Sequence, residues 1–350
     1  MAQSVANAPA LHQGYSEQGG PSEPRPRREA HRHTYGAIDL GTNNCRLLVA
    51  RPNDSGFTVI DAFSRIVRLG EGLSLTGELA QDAMDRAVGA LGICADKLRR
   101  RNVSLSRSVA TEACRRARNG REFADRVRDE TGIVLDIIPP QEEARLAVLG
   151  CHKLLEPGDG PALIFDIGGG STELVLIDQV DGTPRIRSWW SAPWGVVSLT
   201  ESEGKEALEG PERLIAYKRM RERARHAFSR FAAMLPETRE GIRLLGTSGT
   251  VTTLASVHLA LPSYDRRAVD GLHVPVAEMR RISEMIAEMD YEERSALPCI
   301  GSERADLVVA GCAILEAIIE IWPAANLGIA DRGIREGILR SLMARDGWPL

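Results

Sequence analysis

Asp39 and Asp166 each stand at the end of an apolar run, and after each comes a glycine turn and a second apolar run. The first segment reads Ile38-Asp39-Leu40-Gly41-Thr42-Asn43-Asn44 and resumes at Leu47-Leu48-Val49. The second reads Phe165-Asp166-Ile167-Gly168-Gly169-Gly170-Ser171-Thr172-Glu173 and resumes at Leu174-Val175-Leu176-Ile177. Each predicts a β-hairpin whose turn offers backbone N–H groups beside a carboxylate. Glycine permits positive φ and lets a ligand approach the backbone closely. Successive N–H groups form an anion-binding nest, while the aspartate can hold a cation that neutralises the anion. Two such turns in one chain suggest facing half-sites with a phosphate between them.

The second turn is the less ordinary. Three consecutive glycines between apolar strands cost folding entropy and fill no core. Ser171 and Thr172 add donors, and Glu173 adds a second carboxylate. Asp166 and Glu173 are hard oxygen ligands suited to Mg²⁺, which takes one or two carboxylates plus water and phosphate oxygens. Asp39 is a further candidate ligand. A third segment, Gly246-Thr247-Ser248-Gly249-Thr250, joins a predicted strand to a predicted helix. Its N–H groups could meet an anion at the helix start, or the glycines could simply pack helix on strand. Glu142 and Glu143 open another predicted helix, where acids ordinarily favour the macrodipole. Arg115 and Arg116 near a helix start run against that dipole; a bound anion would explain them, and so would solvation.

The elements that must position these residues alternate. Strands are expected at 35–51 and 57–69, a helix at 82–100, and a strand at Ser106–Ala110. A single helix capped by Thr111 would then put Ala113, Ala117, Phe123 and Val127 inward. Strand Val134–Ile138 leads through Pro139-Pro140 into a helix. Strands at 162–166, 173–178 and Ile186–Ser191 come next, with a long helix at 211–234. Strand Arg243–Leu245 enters a helix, helices at 276–289 and 303–321 follow, and strand Asn326–Ile329 precedes a last helix at 332–344. The pattern is α/β. The expected division is a disordered tail at 1–33, a first domain at 34–139, and a second at 140–325. Residues 326–350 are expected to return to the first domain as strand and helix.

At 350 residues, with 43% hydrophobic and 26% charged residues, the chain is long enough for two globular domains. A net charge of −4 argues against general nucleic-acid binding. Six scattered cysteines without a Cys-x-x-Cys pair fit a reduced, cytoplasmic protein and suggest neither zinc nor disulfides. No run approaches a membrane span of ~18 apolar residues. The first 33 residues lack the apolar core of a secretory signal.

Together these motifs resemble the Ppx/GppA (exopolyphosphatase/guanosine pentaphosphate phosphohydrolase) family, within the acetate kinase–actin–heat-shock chaperone–hexokinase superfamily. The resemblance extends through Ala37–Asn43, Val109–Arg115 with Asn119, and Glu142–Leu146. It continues through Asp166–Glu173, Gly195–Leu199, Gly246–Thr253, Arg304–Asp306 and Arg335–Gly337. It departs at Asn44, where the family often has serine, and at Pro139-Pro140, which replaces Ser-Gly. It implies two actin-like, ribonuclease H-like domains with an active-site cleft between them. It also implies that Glu143 is the general base, Arg115 a phosphate-binding arginine, and Asp166 and Glu173 the carboxylates associated with Mg²⁺. The chain ends soon after Gly337, so the resemblance is to a short two-domain form, and it further implies a homodimer. Inorganic polyphosphate is the expected substrate; guanosine pentaphosphate is the alternative within the family. An actin-like or sugar-kinase-like ATPase and a non-catalytic sensor stand outside it. Basic clusters at 213–230 and 97–101 could guide a polyanion or be solvated faces.

Overall fold

The computed structural model describes residues 33–158, 160–180, 183–235 and 241–348. The expected tail at 1–33 lies, apart from His33, outside them. Strands β1 (Tyr35–Leu40), β2 (Asn44–Asn53), β3 (Gly56–Ile66), β4 (Leu105–Ala110) and β5 (Leu135–Ile137) form one sheet in the order β3-β2-β1-β4-β5. Strands β6 (Ala162–Ile167), β7 (Thr172–Val180), β8 (Thr183–Ala192), β9 (Arg243–Thr247), β10 (His273–Pro275) and β11 (Asn326–Ala330) form the other, in the order β10-β11-β9-β6-β7-β8. In both, the first three strands are an antiparallel meander, and the later strands join in parallel, except β10, which pairs antiparallel with β11. Apart from β10 the two sheets repeat one plan.

The central strands are apolar throughout because both of their faces are covered. Along β1, Ile38 and Leu40 point into a core built with the Gln81–Arg100 helix, while Tyr35 and Ala37 point into another. Along β6, Leu163, Phe165 and Ile167 face the large core of the second half, and Ala162 and Ile164 face away. The opposite faces are covered by two helices, Pro140–Cys151 and Ile334–Arg345. The first gives Leu146 and Ala147 to the first sheet and Ala144, Val148 and Cys151 to the second. The second gives Ile334, Ile338, Leu339, Leu342 and Met343 to the first sheet. The two helices cross at glycines: a Cβ on Gly337 would lie 2.0 Å from Leu146 O, and one on Gly150 2.0 Å from Gly333 O.

Several expectations are corrected here. The last helix does return to the first sheet, but strand β11 lies between β9 and β10 in the second sheet. The single helix expected after Thr111 is two, Glu112–Arg116 and Gly120–Thr131. Between them, Asn119 exchanges hydrogen bonds with the backbone of Leu79 (2.9 and 3.0 Å), and Gly120 sits where a Cβ would be 2.0 Å from Cys114 O. Thr111 makes no side-chain cap bond. The helix expected from 303 starts at Val308, because buried Arg294 draws the Ala305 carbonyl away (Nε–O 2.9 Å). Strand β3 stops at Ile66, because the Val67 and Arg68 N–H groups turn to Asn43 O (2.9 and 3.1 Å).

Candidate active site

The two predicted turns lie at matching places. Asp39 pairs in register with Arg46 across β1 and β2, and Asp166 with Glu173 across β6 and β7. Each turn closes with one hydrogen bond of 2.9 Å, Gly41 N–H to Asn44 O and Gly168 N–H to Ser171 O. None of Gly41, Gly168, Gly169 and Gly170 has positive φ, so of the two expected reasons for these glycines that one does not apply. At Gly169 and Gly170 the close approach of the other turn requires glycine. A Cβ on Gly169 would lie 2.9 Å from Thr42 Cβ and 3.2 Å from Asn43 N, and one on Gly170 2.9 Å from Thr42 Oγ1. The turns touch, and only glycine lets them.

Both turns aim their N–H groups by tying down their carbonyls. The Gly168 and Gly169 oxygens accept from Val196 and Val197 (2.9 and 2.8 Å), the first residues of the Val196–Glu203 helix. The Thr42 and Asn43 oxygens accept from Gly70 and from Val67 and Arg68. A trans peptide carries its N–H opposite its C=O. The N–H groups of Gly169, Gly170, Asn43 and Asn44 therefore point away from these supports, and all four residues line one cavity. Peptide orientation thus gives both turns the form of an anion nest.

The cavity, of about 140 Å³, has several times the room one water needs. Five acids line it: Asp39, Glu112, Glu143, Asp166 and Glu173. Burial raises the carboxyl pKa values of Asp39, Glu143, Asp166 and Glu173. Asp166 goes to about 8, with Glu173 and Asp39 adding to the effect of burial. For Glu143 burial comes first and the Glu173 charge second, opposed by Arg115. Glu173 is raised by burial despite hydroxyl bonds from Ser171 (2.7 Å) and Ser191 (2.9 Å) to Oε1. Asp39 is raised by burial against Arg46 and Arg335. Such an acid cluster in a cleft is the electrostatic mark of a functional site.

Glu143 comes from the first turn of the Pro140–Cys151 helix, which proline starts at its first position. Its neighbour Glu142 turns outward to Arg107 (2.7 Å) and Arg145 (2.7 Å). Arg115 donates twice to Glu143 Oε2 (3.1 and 3.2 Å), to Glu112 Oε2 (2.6 Å), and to Ile138 O (2.6 Å).

A model of the Ppx/GppA phosphatase family matches residues 48–346. The chain belongs to the Ppx/GppA phosphatase family. It is 31% identical over 325 residues to exopolyphosphatase 2 of Mycobacterium tuberculosis, covering 87% of this chain and 97% of that protein. It is 26% identical over 312 residues to the guanosine-5'-triphosphate,3'-diphosphate pyrophosphatase of Photobacterium profundum, covering 89% of this chain and 59% of that one. The Aquifex aeolicus Ppx/GppA family member superposes with a TM-score of 0.72 at 30% identity, over 91% of this chain and 99% of that one. Membership makes this an enzyme that hydrolyses phosphoric anhydrides.

Most of the residues expected in a Ppx/GppA site meet at this cavity: Asp39, Gly41, Thr42, Asn43 and Asn44 from the first turn, and Asp166, Gly168, Gly169, Gly170, Ser171 and Glu173 from the second. Glu143 joins them, as do Ser248, Gly249 and Thr250. Ser248 holds φ 149°, a strained backbone for a non-glycine residue, and its Oγ accepts from Thr250 N–H (3.2 Å). Three expected residues do not line the cavity. Thr172 is fully buried and donates to Trp194 O (2.7 Å). Gly246 makes room for the Phe165 ring, which a Cβ would meet at 2.7 Å. Arg115 stands behind Glu143, in the last turn of its short helix rather than at a helix start.

Arg46 and Arg304 line the cavity and were not assigned a role from sequence. A signal existed for Arg46, a lone charge inside the apolar run Cys45–Val49. Arg304, in a loop and bonded to Thr253 Oγ1 (3.0 Å), left no periodic trace. The basic clusters are largely neutralised. Arg219 and Arg223 both bind Glu203, Arg221 binds Glu316, and Lys97 and Arg101 bind Asp61. Lys97, Arg99 and Arg100 also occupy the last turn of their helix, where the macrodipole favours cations. Among the described residues, no helix is long and apolar enough to cross a membrane.

Proposed function

We propose that this protein is an exopolyphosphatase that releases terminal orthophosphate by attack of water activated by Glu143. The observation that carries this reading is the placement of a buried, Arg115-held glutamate on the same cavity as two facing phosphate turns. Arg115 engages Glu143 through Oε2, leaving Oε1 to orient a water. A general base held in this way contributes roughly 10²–10⁴-fold. The N–H groups of both turns, with Arg46 and Arg304, supply fixed positive partners for phosphate oxygens, commonly the largest catalytic term.

Asp166 and Glu173, with Asp39 across the cavity, would hold Mg²⁺, which when bound neutralises phosphate oxygens as a Lewis acid. The donor set fits. All three are hard oxygen donors whose charged form burial disfavours, with Glu173 and Asp39 adding to this at Asp166, a cost that a divalent cation would offset. No group of three or more His, Cys, Asp or Glu side chains placed to hold a metal ion occurs among the described residues. That is compatible with Mg²⁺, which keeps several waters. From the family resemblance we also infer a cytoplasmic homodimer, which a mass measurement in solution tests.

One feature favours a second reading, removal of the 5′ γ-phosphate from guanosine pentaphosphate. Apolar Leu307 and Val308 line the cavity beside Arg304, a surface that a nucleobase could use and a phosphate chain does not need. Phosphate release from long polyphosphate, guanosine pentaphosphate and ATP, with and without Mg²⁺, separates the readings. Glu143→Gln should lower turnover by about 10²–10⁴-fold on the preferred substrate while polyphosphate still binds. Near-full activity in that variant would overturn the assignment, and dominant ATP hydrolysis would overturn the substrate class.

A further inference from the structure

Residues 67–76 leave the first sheet and run across to the second half. Their hold on the first turn is backbone: Val67, Arg68 and Gly70 N–H to Asn43 and Thr42 carbonyls. Arg68 takes φ 48° and Gly72 φ 73°, and these bend the strap outward. It then meets the other half at two side chains. Arg68 Nη1 contacts Asp306 Oδ2 at 2.8 Å, just before the Val308–Ile321 helix. Gly72 N–H donates to Glu201 Oε1 at 2.8 Å, and the Ser74 hydroxyl donates to Glu201 Oε2.

Glu201 sits on the Val196–Glu203 helix, whose first N–H groups hold the carbonyls of the second turn. A continuous line of contacts therefore runs from first turn to strap, to Glu201, to helix, to second turn. Both ends of that line are backbone bonds within one half. The side-chain contacts of Glu201 and Asp306 are the links that cross between halves.

We propose that Glu201 and Asp306 are positioning residues that hold the first phosphate turn against the second through the strap at 67–76. This rests on the reading of the two turns as a phosphate site. Neither residue lines the cavity, so neither acts on substrate directly. The Arg68–Asp306 ion pair is about one-third exposed, and such pairs are individually weak, which suits a clasp that can release. The permanent joint lies elsewhere, where Gly150 and Gly337 let the Pro140–Cys151 and Ile334–Arg345 helices cross in contact. Losing the clasp lowers the fraction of closed, binding-competent molecules, so apparent affinity falls by that fraction while a saturating substrate still closes the site.

The test uses the full chain with Glu201→Ala, Asp306→Ala and the double variant. Thermal midpoints should stay near the parent value, and small-angle scattering without substrate should show expansion. The double variant should raise KM for long polyphosphate about five- to tenfold with kcat within about twofold. Arg68→Ala should add nothing to Asp306→Ala, because each removes the same pair. Unchanged KM and scattering would overturn the proposal, as would a fall in kcat at constant KM. If Asp306→Ala does not fold, Glu201→Ala decides by itself. If the parent releases phosphate from no substrate, the functional reading fails, and scattering still decides whether the clasp exists.

Discussion

In the first half Asp39 faces Arg46 across its hairpin, and in the second Asp166 faces Glu173 at the same place in the register. The turns between them have the same length, the same closing hydrogen bond, and carbonyls tied back in the same sense. One cross-strand exchange, cation for acid, separates the two. It gives the first turn a positive side chain beside its N–H groups, suited to phosphate, and the second a pair of acids that repel each other until a proton or a cation intervenes. On the proposed function, a repeated scaffold thus divides one task in two, with Glu143 delivered by a helix that belongs to both sheets.

The largest break in that comparison should come from making the turns alike in charge. Arg46→Glu copies the acid of the second turn into the first, removes a charged partner of the anion, and adds repulsion. Binding of polyphosphate should weaken about 10²-fold by titration calorimetry, with the fold intact. A variant that binds normally would show that Arg46 plays no part in holding phosphate.

A smaller effect separates the glycines. Gly169→Ala forces a Cβ to 2.9 Å from Thr42, so the turns must part; overpacking of this kind costs about 1–3 kcal/mol and should lower both the thermal midpoint and activity. Gly41→Ala meets only Asn44 O at 3.6 Å and should leave the midpoint unchanged. Equal losses from the two would end the claim that contact between the turns is what requires glycine.

The smallest effect is in the pH dependence of the metal-free protein. Burial, then Glu173 and Asp39, hold Asp166 at about 8 against an ordinary 3.8. Between those values the folded protein keeps a proton that the unfolded chain has released, so stability falls as pH rises from about 4 to about 8. Asp166→Asn should flatten that slope by a few degrees of thermal midpoint, approximately, and Mg²⁺ should flatten it in the parent. On the first turn, Asp39→Asn should do less, because Arg46 and Arg335 already offset its charge. A parent midpoint that rises with pH across this range would contradict the electrostatics of the second turn.

Much of this was legible in the residues. Aspartate before a glycine turn between two apolar runs announced both hairpins, and the three-residue glycine run marked the second as the unusual one. The motif resemblance supplied Glu143, which the helix-dipole rule alone would have left as one of two ordinary acids. Other features were not legible because they depend on contacts between segments far apart in sequence. The break at 117–119 follows from Asn119 reaching Leu79, forty residues away in sequence. Strand β11 joins the second sheet although the helix after it packs on the first. The basic stretches looked free only because their acidic partners, Glu203, Glu316 and Asp61, lie on other elements.

The sequence by itself determined the local chemistry: two turns whose small residues expose N–H groups, acids beside them, and apolar strands on either side, since all of these depend on neighbours within a few residues. Tertiary structure decided what the glycines of the second turn are for, which of two adjacent glutamates faces the cavity, and that Arg115 holds Glu143 while Arg46 and Arg304 line the cavity. Those outcomes rest on contacts between chain segments far apart in sequence, whose distances no local pattern encodes.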